Sequence, residues 1–287
     1  MPTMKHWIRQ AGLRALSLVL LCLLGGLLSA TLVRFAPGYG VDERELDPRL
    51  NQESLQAIRA ANHVGLLSYY RRFLAGAVHG ELGNSQWLQR PVASLIRERF
   101  PVTLRSVLFG TAMAWLAALA VSLTVAFFRG FALEISTTLL SGTLIALPTA
   151  VVAALAVYVS SPVSVALAVV LFPKLFRYLR NLFAHAQAQP HVLAAHARGI
   201  SKSRILFHHI LLNVSPALLA LLGVSLSMAF GAAIPIEAIC DSPGIGQLAW
   251  QAAINRDLPL ITNLTLLVTL ITVAANWMAN FGDRRAA

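Results

Sequence analysis

The stretch ISTTLLSGTLIALPTAVVAALAVYVSSPVSVALAVVLFP, Ile135–Pro173, carries no charged residue from end to end. A helix crossing hydrocarbon needs roughly 20 largely apolar residues, so this run is about twice one crossing. Ser160–Pro162, a Ser-Ser-Pro triplet, falls near its middle. The run therefore predicts two membrane helices joined by a very short turn. The rest of the chain agrees with that reading: hydrophobic residues make up 57% and charged residues 12%, too apolar a balance for an ordinary soluble core.

Outward from this run, charges bracket the other spans. Ala15–Val33 lies between Arg14 and Arg34, and Ser106–Phe128 between Arg105 and Arg129. Ile205–Ile236 and Leu258–Gly282 supply a fifth and a sixth. The expected fold is an all-α integral membrane protein of six transmembrane helices with both ends on one side. Its parts are the N-terminus and first helix (1–35), an external segment (36–101) and a helical core (102–287). Within that core lie a basic loop at about 185–212 and a second loop at about 237–259.

Orientation follows from Lys and Arg. Lys5, Arg9 and Arg14 precede the first span, and Lys174, Arg177, Arg180, Arg198, Lys202 and Arg204 separate the fourth from the fifth with no Asp or Glu among them. Both segments are expected in the cytoplasm, with Asp283, Arg284 and Arg285 at the far end. The loop 237–259 is then external. The formal charge of +11 is mostly cytoplasmic on this reading and suits anionic lipid headgroups, whereas nucleic acid is excluded for so apolar a chain. The first apolar run is longer than a signal core and lacks a small-residue cleavage site, so it is expected to stay as a span. Cys22 and Cys240 make neither a disulfide framework nor a thiolate metal site.

Enzymatic signatures are absent: no phosphate loop with its Lys, no Gly-x-Ser-x-Gly and no His-Glu-x-x-His occurs. His185, His191, His196, His208 and His209 are not three or four apart, as ligands on one helix face would be, and read as solvated surface. The spans hold almost no ionisable groups, so no charged substrate site shows within them. Ser136, Thr137, Thr138, Ser141, Ser225 and Ser227 could line a path, although such hydroxyls more often bond their own backbone or a neighbouring helix.

Two loops are more specified than connections need to be. In PHVLAAHARGISKSRILFHHILLN, Pro190–Asn213, the pattern predicts a short helix, a left-handed Gly199 that ends it, and a second helix capped by the Ser201 side chain. Two short helices around a sharp turn make a knob that a partner's cleft can grip; an ordinary amphipathic elbow in the membrane interface is the plain alternative. In DSPGIGQLAWQAAINRDLP, Asp241–Pro259, Pro243-Gly244 reads as a tight turn, Ile245–Asn255 as a short helix returning to the membrane, and Pro259 as the start of the last span.

Both loops resemble the permease subunits of ATP-binding-cassette importers. Ala194, Ala195 and Gly199 match the Glu-Ala-Ala-x-x-x-Gly coupling signature, with Leu193 in place of the acid. Val192, Ala195, Ala197, Gly199 and Ser201 also fit the oligopeptide, dipeptide and nickel branch, with Asn213 where that branch has Asn. Glu237, Ser242-Pro243-Gly244-Ile245-Gly246, Leu248 and Asn255-Arg256-Asp257-Leu258-Pro259 are similar to that branch's external loop. Gly80-Glu81-Leu82-Gly83, Arg90-Pro91-Val92, Ile96, Arg99, Pro101, Thr103 and Leu104 are similar to its first external region. Upstream, Leu66, Leu67, Tyr70, Phe73, Leu74 and Val78 recur at helical spacing, which predicts an amphipathic helix that packs on the mouth of the pathway or meets a solute-binding protein. Pro37-Gly38-Tyr39-Gly40 lacks the branch's Pro-Gly-Asp-Pro, and the turn at Ser160–Pro162 is shorter than the branch's usual connection.

The resemblance implies a type I importer permease in a bacterial inner membrane, multi-pass, with an external domain after helix 1 and a cytoplasmic coupling loop. It implies as partners a second permease, ATP-binding subunits that hold the ATP and Mg, and an external solute-binding protein; the chain itself needs no cofactor or metal. Ala194, Ala195, Arg198, Gly199, Ser201, Lys202 and Arg204 would dock the ATPase, and Glu237, Pro243, Gly244, Gly246, Arg256, Asp257 and Pro259 would shape an external gate. Peptides are the implied solute, with nickel or another small solute open. An ATPase-independent channel or carrier and a structural subunit are the alternatives; neither a buried charged relay nor an inverted repeat favours a carrier.

Overall fold

The structure, a computed structural model, describes residues 66–128 and 130–283 together with 20–21, 23–28, 31–32 and 35. The expectations at Lys5, Arg9, Arg14, Cys22, Pro37–Gly40, Arg284 and Arg285, with the rest of 36–65, lie outside the described residues. Among the described residues the secondary structure is helical apart from one isolated bridge between Asn84 and Pro91. The helices are α1 Leu66–Val78, α2 Val92–Phe128, α3 Phe131–Ala146, α4 Thr149–Tyr158, α5 Val163–Gln187, α6 Pro190–Ala197, α7 Lys202–Ile239, α8 Ile245–Ile254 and α9 Leu258–Asp283.

Three helical stretches are long and apolar enough to cross a membrane, Val92–Phe128, Lys202–Ile239 and Leu258–Trp277, and a fourth crossing is possible if α3 and α4 form one broken span. The membrane architecture expected from composition is present, but the described residues do not add up to six uninterrupted spans. Pro148 explains one departure. Its ring disfavours helical backbone at Leu147, which turns extended (φ −72°, ψ 124°), and α4 restarts behind it at a 94° bend. The run before Ser160 is thus two shorter helices rather than one uninterrupted helix. The expected turn is there: Ser160 is left-handed, and its N–H and that of Ser161 close back onto Val157 and Ala156. α5 continues past Pro173 through Lys174, Arg177 and Arg180, so only its first half is charge-free. α2 begins at Val92 rather than at Ser106 and carries Pro101 within it.

The chain forms two compact units, Met1–Arg99 with Leu248–Leu270, and Phe100–Gln247 with Ile271–Ala287. In the second unit α5 is the centre: Leu167, Leu171, Leu175, Phe176, Leu179 and Phe183 are buried at 0–1% exposure, against α3, α4 and α7. α2 joins this core where Gly110 lets the backbones meet, since a Cβ there would lie 2.8 Å from the Ser164 carbonyl oxygen. Small residues at such crossings let dispersion contacts accumulate where hydrophobic association is weak. Arg180 of α5 bonds both Glu134 and Thr138 of α3, tying the broken helix by its polar end.

α7 starts irregularly. Residues Ile205–Ile210 are π-helical, with Leu211 N–H reaching Leu206 five residues back. Pro216 then removes the N–H that would serve Leu212 O, and the Ser215 hydroxyl donates to that carbonyl at 2.8 Å. In the first unit, Tyr70 of α1 is buried and donates to Leu23 O at 2.6 Å, and a Cβ at Gly26 would lie 2.8 Å from the same hydroxyl. The apolar face of α1 is therefore used, at Tyr70, for packing.

Candidate functional site

The elbow Pro190–Arg204 is built as the spacing predicts, with one difference. Pro190 occupies the first turn of α6, where its missing N–H costs nothing. Gly199 is left-handed (φ 73°), its N–H bonds His196 O at 3.0 Å, and Ile200 N–H bonds Ala195 O at 3.2 Å. That double closure satisfies carbonyls the helix end would leave open. Ser201 sits at the N-cap of α7, but its hydroxyl makes no capping bond; its backbone carbonyl accepts Ile205 N–H instead. The expected Ser201 side-chain cap is corrected to a backbone role.

Burial divides the elbow into a root and a face. Val192, Ala195, Ile205 and Leu206 are buried in the core of the second unit. Ala194, Arg198, Gly199, Ser201, Lys202 and Arg204 are exposed, and so are the large side chains Leu193 and Phe207 at 59% and 57%. Ala194 and Ala195, similar in sequence, thus have opposite surroundings. The surface combines cations with two apolar side chains on a turn whose backbone is fully closed.

The loop 237–259 holds two buried carboxylates, one in each unit. In the second unit Glu237 is 0% exposed; its Oε2 accepts the Thr103 hydroxyl at 3.0 Å and Gly246 N–H at 2.7 Å, while Oε1 has no hydrogen-bond partner among the described residues. Thr103 in turn accepts Ile245 N–H at 2.7 Å. A Cβ at Gly244 would lie 2.2 Å from Glu237 Oε2, and one at Gly246 would lie 2.6 Å from Ile234 Cα. Neither glycine has positive φ. They are glycines because the loop backbone lies directly on the carboxylate and on α7, not because Pro243-Gly244 needs an unusual turn. The reversal itself belongs to Asp241, left-handed at φ 49°, behind which Ser242 N–H closes onto Glu237 O; the Asp241 carboxylate also accepts the Gln247 side chain.

In the first unit Asp257 is 1% exposed and fully used. Oδ1 accepts Leu260 N–H at 3.1 Å, which makes Asp257 the N-cap of α9, with Pro259 in the first turn. Oδ2 accepts the Ser85 hydroxyl at 2.5 Å and Trp87 N–H at 3.0 Å. Arg256, exposed and left-handed at φ 53°, ends α8. Asn263 adds a bond to Leu82 O at 2.9 Å. Ser85, Trp87 and Asn263 escape a sequence reading because their partners are distant in sequence. The N-cap was legible, since Asp-x-Pro before an apolar run marks a helix start.

The hydroxyls considered as pathway lining donate to backbone carbonyls. Ser136 donates to Leu133 O, Ser141 to Thr138 O, and Ser227 to Thr272 O. Ser225, fully buried, donates to Leu222 O and accepts Trp115 Nε1–H at 2.9 Å. Among the described residues no cluster of three or more His, Cys, Asp or Glu could hold a metal ion.

This architecture has relatives. The family described as "Binding-protein-dependent transport system inner membrane component" matches residues 106–286. The oligopeptide transport system permease protein AppB of Bacillus subtilis is 29% identical over 106 residues, 37% of this chain and 34% of AppB. The probable peptide ABC transporter permease protein y4tP of Sinorhizobium fredii is 30% identical over 104 residues, 36% of this chain and 33% of that protein. A putative peptide permease protein of Brucella ovis is 30% identical over 102 residues, 36% of this chain and 32% of its own. The matched stretch spans about a third of the length of these curated relatives.

Proposed function

The chain belongs to the family of binding-protein-dependent transport system inner membrane components, and on that premise we propose that it is the membrane-spanning subunit of an ATP-driven importer of peptides. The observation that carries this reading is the elbow: a closed turn at Gly199, rooted by Val192 and Ala195, that presents Leu193, Arg198, Lys202 and Arg204 outward. A rigid, rooted protrusion transmits a push, whereas a flexible loop would absorb it.

In this reading ATP and Mg are bound and used by separate ATP-binding subunits, whose closure moves the elbow and with it α5 and α7. A second permease completes the pathway, and a solute-binding protein delivers the cargo. The Glu237 and Asp257 knots hold the external loop in shape and take no part in chemistry. Peptides are the favoured cargo because the relatives in view are named for peptides or oligopeptides. A bacterial inner membrane with both ends in the cytoplasm agrees with the run of cations between Lys174 and Arg204.

The test is purification of the tagged chain from its native membrane, with partner identification and an ATPase assay on the assembly. Recovery of ATP-binding subunits, a second permease and a solute-binding protein is expected. Gly199→Asp should abolish transport while the chain still inserts. Recovery of the chain alone, without ATPase activity, would favour a channel or a structural subunit.

A further inference from the structure

A cleft of about 170 Å³ opens beside the elbow, in the second unit, and the docking proposed above uses only Lys202 of its lining. Its floor is apolar, formed by Phe127 at the end of α2 and by Ile205, Leu206 and Ile210 of the π-helical segment. Its rim is polar: Gln187, His196 and Lys202. On the expected spans Ser106–Phe128 and Ile205–Ile236, the lining lies at the ends that Arg129 and Arg204 bracket, where hydrocarbon would give way to headgroups.

The charge around it is one-sided. Between Glu134 and Glu237 the chain has no acidic residue, but it has Lys174, Arg177, Arg180, Arg198, Lys202 and Arg204. Of these, Arg180 is neutralised by Glu134, while Lys202 has no ion-pair partner among the described residues. The rim groups are positioned: Gln187 Nε2 donates to Ala126 O at 3.1 Å, and His196 Nδ1 meets Val192 O at 3.2 Å, where only a donor fits.

We propose that this cleft binds an anionic phospholipid, with the lipid phosphate on Lys202 and the first part of an acyl chain over Phe127, Ile205 and Ile210. An apolar floor under a cationic rim at the membrane boundary matches an amphiphile, and a free phosphate would leave the floor uncovered. Because the floor is the π-helical root of the elbow, an occupied cleft stiffens the segment through which the elbow moves. The site rests on the membrane placement of the chain and not on its docking to an ATPase, so the test uses the chain alone.

The experiment titrates the purified full chain in neutral detergent with dioctanoyl phosphatidylglycerol, with dioctanoyl phosphatidylcholine and with inorganic phosphate, reading thermal unfolding and lipid retention by native mass spectrometry. Phosphatidylglycerol should bind, and Lys202→Gln should weaken it roughly tenfold, as loss of a charge-assisted bond does. Arg177→Gln, an equal charge loss at an exposed position away from the cleft, should change it by less than about twofold. Ala126→Phe should fill the cleft and reduce lipid binding without affecting the chain's response to phosphate. Equal binding of the two lipids, or equal losses from Lys202→Gln and Arg177→Gln, would overturn the proposal in favour of a general surface field. Phosphate binding that Lys202→Gln removes, with no lipid preference, would overturn it in favour of a free anion. None of these results bears on whether an ATPase docks.

Discussion

The elbow at Gly199 and the loop at Glu237 both carry motif glycines, and the two sets exist for different reasons. Gly199 has φ 73° and empty space around it: an added Cβ would touch nothing within 4 Å. Gly244 and Gly246 have ordinary backbone and no space at all, with Glu237 Oε2 within 3 Å of the Cβ each lacks. One glycine is required by conformation, the other two by contact. Other joints make the contrast sharper, since Ser160 and Arg256 adopt the same left-handed backbone as Gly199 without being glycine. The turn alone therefore does not demand glycine; it only costs about 1 kcal/mol when another residue takes it.

The comparison can be broken by substitution, and the largest effect should come from contact. Gly244→Ala is expected to cost about 3 kcal/mol, because Glu237 and Thr103 must both move, and to lower the unfolding midpoint of the purified chain markedly. The double variant Glu237→Ala with Gly244→Ala should cost less than the sum of the two, since the first removes the atoms the second collides with. Strict additivity would show that the knot is not where the strain arises.

Asp257→Ala comes next, at about 2 kcal/mol, from the loss of an N-cap and the stranding of the Ser85 hydroxyl and Trp87 N–H. Its signature is coupling to Ser85→Ala in a double-mutant cycle; independent effects would refute the shared knot. Gly199→Ala should cost only about 1 kcal/mol, as a purely conformational penalty. A loss as large as that of Gly244→Ala would mean that the open space around Gly199 is filled in the native assembly. Smallest of all, Ser160→Gly should stabilise by about 0.5 kcal/mol by relieving the left-handed backbone, read as a slight rise in the same midpoint.

Much of this was legible from residue order. The membrane class, the helix Leu258–Asp283, the helix Ile245–Ile254 and the left-handed Gly199 all follow from local pattern, because apolar length and helix-end chemistry are properties of neighbours in sequence. The bend at Pro148 has an equally local cause, since a proline disfavours helical backbone in the residue before it, here Leu147. The Ser201 capping bond was expected on residue type and did not form; the Ser201 carbonyl accepts Ile205 N–H, the first bond of the helix.

The buried knots are another matter. Glu237 and Thr103 are 134 residues apart, and Asp257 and Ser85 are 172 apart. Residue order marked Glu237 and Asp257 as part of a loop motif, yet it could not say that one is held by two donors on a single oxygen and the other by three donors across both. The sequence by itself determined an apolar, helical membrane chain with a cationic elbow and a specified loop, because hydrophobic run length, charge and turn residues act locally. Tertiary structure alone decided which glycines were there for room, which alanine of the pair was buried and which donors reached the buried carboxylates, because each depends on distant segments meeting within a few ångströms.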